Sequence, residues 1–171
     1  IHSGKVAYLG TKKWFYETRI LHSEAENDLV YYNFAKKENP EERLQNAALK
    51  QYGFQQAIYK KIKNQTIGMR FWYFNSDRNL PSTMLVEKND ETQQDESFRL
   101  LINTTGFKNK ISYKISSALI HDKLTYNNKL IDINSKNNSL LIDNHADINY
   151  FINDKITFLN KINIRHEQAK A

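Results

Sequence analysis

From Gln65 onward, apolar residues recur at every second position, the repeat with which an extended strand addresses one face. Phe98, Leu100 and Ile102 alternate with Arg99, Leu101 and Asn103, and Ile111, Tyr113, Ile115, Ser117 and Leu119 alternate with Ser112, Lys114, Ser116 and Ala118. Shorter strands are expected at Leu124 to Tyr126, Lys129 to Ile133, Leu140 to Ile142, Ile148 to Ile152 and Ile156 to Ile164. Between them lie Asn127-Asn128, Lys136-Asn137-Asn138 and Asn153-Asp154-Lys155, residue types that tolerate the left-handed conformation of tight turns. Links this short join antiparallel neighbours, because a parallel pair needs a long crossover.

The first third reads differently. Lys5 to Leu9 and Trp14 to Leu21 flank Gly10-Thr11-Lys12-Lys13 as a hairpin. The alternative is one helix from Thr11 to Lys37. Ser23-Glu24-Ala25-Glu26 has the form of a capping box and favours a helix starting there. A second helix is predicted from Asn39 and Pro40, a cap and a first-turn proline, with Leu44, Ala47, Ala48, Tyr52, Ile58, Tyr59 and Ile62 as its apolar stripe. The expected fold class is α+β: two helices packed on one face of an antiparallel β-meander, in a single domain over residues 1–171 with a frayed tail at 165–171.

At 171 residues, 40% of them hydrophobic, with two prolines and five glycines, the chain suits a folded domain with its own core. It contains no cysteine, which excludes disulfides, thiolate nucleophiles and cysteine-ligated metals. Its apolar runs are only a few residues long, so no membrane-spanning segment is predicted. The first residue is Ile1 rather than methionine, and the expectation is that something upstream was removed.

The net charge of +6 admits polyanionic partners: nucleic acid, an anionic polymer or a membrane surface. The stretch Gly68-Met69-Arg70-Phe71-Trp72-Tyr73-Phe74 concentrates four aromatics behind an arginine. Both its faces are large and apolar, and it lacks the small residue of the base-stacking RRM strand, so it reads as a central strand covered on both sides. The competing reading is a nucleic-acid surface of Lys12, Lys13, Arg70, Trp72, Lys108, Lys110 and Lys114.

Catalytic signals are sparse. No G-x-S-x-G elbow, phosphate-cradling glycine loop or dinucleotide fingerprint occurs, so no cofactor is expected. A mononuclear metal site can be drawn from His121, Asp143, His145 and Asp147, with His121-Asp122 and Asp143-Asn144-His145-Ala146-Asp147 both taken as turns. The acidic stretch from Glu87 to Glu96 lacks the mid-loop glycine of an EF-hand and reads as a solvated loop.

Ile111-Ser112-Tyr113-Lys114-Ile115, followed by Leu140-Leu141-Ile142-Asp143-Asn144 and Ile148-Asn149-Tyr150-Phe151, resembles in its spacing the last strands of minor pilins and J-type pseudopilins. That resemblance implies an N-terminal helix leading into an antiparallel sheet, in a subunit that initiates or caps a filament. The functional expectation is a non-enzymatic binding or assembly module, extracytoplasmic or envelope-associated in a bacterium, whose partner is another protein. The alternative is the basic nucleic-acid-binding protein.

Overall fold

The computed structural model describes residues 2–10, 13–36, 38, 40–82 and 89–171, and these form strands, turns and loops. The main sheet holds eight strands, here numbered with the two of a small side sheet: β1 (His2–Leu9), β2 (Trp14–Ala25), β5 (Leu49–Ile62), β6 (Gln65–Leu80), β7 (Glu91–Lys108), β8 (Ile111–Asn128), β9 (Ile133–Asn153) and β10 (Ile156–Lys170). Each pairs antiparallel with the next in that order, and β1 and β10 are the two edges. β3 (Val30–Tyr32) and β4 (Glu41–Arg43) pair with each other between β2 and β5.

This corrects the α+β expectation: no helix occurs among the described residues. The hairpin of Lys5 to Leu9 with Trp14 to Leu21 is present, but Ser23-Glu24-Ala25 ends β2 rather than capping a helix. The second predicted helix is largely β5. Its supposed stripe collected residues from both faces of a strand: Tyr52 and Ile58 point one way, Ala57 and Tyr59 the other. β-branched and aromatic side chains favour the strand, and Gly53 would cost a helix about 1 kcal/mol. The helix implied by the pilin resemblance is likewise not found among the described residues.

The meander itself has fewer and longer strands than the periodicity suggested. Lys136-Asn137-Asn138 and Asp143 to Asp147 lie inside β9, and His121-Asp122 lies inside β8. Only Asp154-Lys155 of the expected asparagine-rich links turns the chain between two strands as predicted. β10 continues to Lys170, through the residues read as a tail.

Among the described residues no layer covers the sheet. Ala57 is the one buried hydrophobic residue among those described, while Val6, Ile20, Met69, Ile102, Phe158 and Ile164 are all exposed. Buried side chains are instead mostly polar: Ser23, Asn33, Asn75, Ser76 and Asn128. A water-soluble domain of this size buries an apolar core, so the usual driving force of folding is left largely unused here.

The connections are unequal at the two ends. β5–β6, β7–β8 and β9–β10 are joined through Lys63-Asn64, Asn109-Lys110 and Asp154-Lys155, and β1–β2 through residues 10–13. At the opposite end, residues 26–48 with the β3–β4 hairpin, 81–90 and 129–132 make the links.

Candidate functional site

Residues opposite each other in a ladder share a face, so the register sorts every side chain onto one of two surfaces. One row runs Tyr8, Tyr16, Ile58, Met69, Ile102, Ser117, Asn144, Ile164 across all eight strands. Along the strands this face adds Ile67, Leu100, Ile115, Leu119, Ile142, Ala146, Ile148 and Ile162. The result is an aliphatic band interrupted by a few polar residues, Ser117 and Asn144 among them. Among its polar interruptions, Thr18 donates to Gln56 at 2.7 Å and so satisfies both groups within the sheet.

Aromatic rings border the band on both sides. Toward the short turns stand Tyr8, Trp14, Tyr16, Tyr113, Tyr150 and Phe158. Toward the long loops stand Tyr52, Phe54, Phe71, Tyr73 and Phe98, in contact as Tyr52–Tyr73 and as Phe54–Phe71–Phe98 with ring centroids 5.2–6.1 Å apart. Beyond this second belt the same face turns polar, at His22, Glu24, Lys50, Asp77, Glu96 and Lys123.

The other face carries ion pairs set among apolar side chains such as Phe15, Leu21, Phe74, Leu101, Ile120 and Leu141. Glu17 takes Lys5 at 3.3 Å and Arg19 at 2.6 Å. Arg78 meets Asp95, Ser97 donates to Asp122 at 2.5 Å, and Arg99 stands 3.9 Å from Asp122. His145 meets Asp147 at 3.0 Å and Arg165 meets Glu167 at 2.9 Å. Burial pushes the Glu17 carboxyl up, but the hydrogen bonds from Arg19 and Lys5 and their charges outweigh it and hold it below the ordinary range. The hydrogen bond with His145 does the same for Asp147 against the effect of burial.

The four residues proposed as metal ligands are divided by this arrangement. Asp143, His145 and Asp147 alternate along the polar face of β9, whereas His121 lies on the apolar face of β8, its Nε2 2.6 Å from Asn138 Oδ1. Among the described residues no group of three or more His, Asp or Glu is placed to hold a metal ion.

The nucleic-acid set is divided too. Arg70, Trp72 and Lys114 share the polar face; Lys13 and Lys110 are in turns, Lys108 is on the apolar face, and Lys12 lies outside the described residues. Trp72 is 41% exposed, so the aromatic stretch is a central strand but not one covered on both sides. The Arg99 guanidinium lies 4.7 Å from the centre of the Trp72 ring and occupies a face that a base would stack upon.

Sequence reasoning missed the pairing of a broad apolar band on one face with ion pairs on the other. The signal was present in the alternation of β7 and β8. It was obscured on β9 because polar residues in mid-strand resemble a turn. No known protein family is matched by the sequence, and no curated protein aligns with it.

Proposed function

We propose that the main sheet is a section of the wall of a transmembrane β-barrel in a bacterial envelope, its aliphatic face toward lipid and its ion-paired face toward an aqueous interior that binds or passes polar solutes. The observation that carries this reading is the aliphatic band between two aromatic belts on one uncovered face. A strand needs no long apolar run to cross a bilayer, since only alternate residues meet lipid. No helix of the described residues is long and apolar enough to cross a membrane, a criterion that does not bear on strands.

The dimensions support it. From Leu140 to Tyr150 on β9 is ten residue steps, about 33 Å at ~3.3 Å per residue. Tilted by about 35–45°, that span is about 23–27 Å high, close to the ~25 Å apolar band of such barrels. Short turns at one end and longer loops at the other are the further mark of this architecture. Backbone groups cannot be left unpaired in hydrocarbon, so in a membrane the edges of β1 and β10 must be paired, with each other or with further strands.

The absence of cysteine makes the test direct, since any introduced thiol is unique. Single cysteines at Leu100, Leu101, Ile102 and Asn103, spin-labelled in protein reconstituted into lipid vesicles, will relax alternately with oxygen (100 and 102) and with a water-soluble nickel chelate (101 and 103). Equal access of the chelate to all four positions sinks the proposal.

A further inference from the structure

The short-turn end carries charge of essentially one sign. Within three residues of its four turns stand Lys13, Lys60, Lys61, Lys63, Lys108, Lys110 and Lys155, with Asp154 the lone acid among the described residues. None of these seven lysines is in an ion pair among the described residues. At the opposite end Lys36, Arg43, Arg78, Lys123 and Lys129 each have a carboxylate partner, while Lys50, Lys136 and Lys170 are in no ion pair among the described residues. Like charges gathered without counter-charges repel one another, and a solvated surface is under no necessity to collect them.

Their placement is particular. Lys60 and Lys108 sit on the lipid-side face at the margin of the aromatic belt, and Lys60 Nζ lies 4.5 Å from the centre of the Trp14 ring. Lys13, Lys63, Lys110 and Lys155 project from the turns themselves, Lys110 donating to the Ile152 carbonyl at 2.9 Å. A lysine stem lies along apolar surface while its ammonium reaches outward, and Trp and Tyr favour the headgroup level of a bilayer.

We infer that this rim binds the anionic headgroups of phospholipids in the leaflet it borders, an inference that rests on the membrane-barrel reading. The occupant is a lipid rather than a soluble polyanion because the cations share their level with the belt of Tyr8, Trp14, Tyr16, Tyr113 and Tyr150. A soluble polymer has no reason to be met by that belt. The lipid phosphates supply the counter-charge that the described residues do not.

Trp14 is the reporter, in a Trp72→Phe background. The protein is reconstituted into mixed phosphatidylcholine and phosphatidylglycerol vesicles in which only one lipid at a time carries bromine near the headgroup. Brominated phosphatidylglycerol is expected to quench Trp14 about fivefold more per lipid than brominated phosphatidylcholine, the equivalent of about 1 kcal/mol, roughly one lysine at an anionic surface. That ratio is expected to fall to parity in high salt and in the combined Lys60→Gln, Lys63→Gln, Lys108→Gln, Lys110→Gln variant. Parity in the unsubstituted protein overturns the rim while leaving the barrel standing; no quenching by either lipid overturns both.

Discussion

Two glycines are held by the rings across from them. Tyr59 stands opposite Gly68 and Tyr113 opposite Gly106 in neighbouring strands. A Cβ at Gly68 would lie 2.6 Å from Tyr59 Cδ1 and 2.9 Å from Asn103 Oδ1, and one at Gly106 would lie 2.5 Å from Tyr113 Oη. The ring lies flat on the backbone where a side chain would otherwise stand, which shields ladder hydrogen bonds and fixes the register. Gly68→Ala is therefore expected to destabilise by about 1–3 kcal/mol through displacement of the ring. In a double-mutant cycle with Tyr59→Ala, measured by urea titration in lipid, most of that cost should vanish. Additive effects would mean that the ring and the glycine do not act together. Gly68 was visible in the sequence only as a residue preceding an arginine, because the partner that explains it is nine residues away on another strand.

At the scale of elements, the β3–β4 hairpin is tied by one carboxylate. Glu42 receives Lys36 at 2.5 Å and hydrogen bonds from Asn33 and the Tyr31 hydroxyl, both at 2.9 Å. Lys36 first, then Asn33 and Tyr31, hold its carboxyl down to about 2, well below the ordinary 4.5. Its folded pKa being depressed, the stabilisation is complete above about 4.5 and is lost as pH falls toward 2. Amide protection factors in residues 30–43, corrected for the intrinsic pH dependence of exchange, should therefore fall across that window while those in β7 and β8 do not. Glu42→Gln should show fast exchange at neutral pH and no such acid step, and an unchanged profile would rule out the clasp. Phe98 to Asn103 of β7 and Ile111 to Leu119 of β8 were legible from their alternation, whereas Glu91 to Glu96, read as a loop, and His121-Asp122, read as a turn, are also strand. β5 was not, because Gln56 and Lys60 interrupt its apolar face at the two positions where a period of two would have declared itself. β9 was cut into pieces for a related reason: Asp143, His145 and Asp147 look like turn residues until the far face of the sheet is known to be polar.

For the molecule as a whole, the consequence of two dissimilar faces is that a substitution depends on the parity of its position more than on its residue type. Ile102 and Asn103 are neighbours in β7, and Ile102 lies mid-band on the aliphatic face at 47% exposure. Ile102→Lys is expected to cost about 2–4 kcal/mol of stability in a lipid bilayer, near the midplane value for a cation on a barrel's lipid face, and Asn103→Lys markedly less. Equal costs in reversible folding into vesicles would contradict the assignment of faces. Composition gave no warning of this, since 40% hydrophobic residues describes a soluble core as well as a lipid-facing belt. What differed was where those residues went, and that is a property of register. One further property follows from the eight-strand count of the main sheet. Because the number is even, β1 enters and β10 leaves at the same end, that of the long loops. Strands can thus be gained or lost at either margin two at a time with entry and exit both kept at the long-loop end, which makes the hairpin the unit by which a sheet of this kind lengthens or shortens.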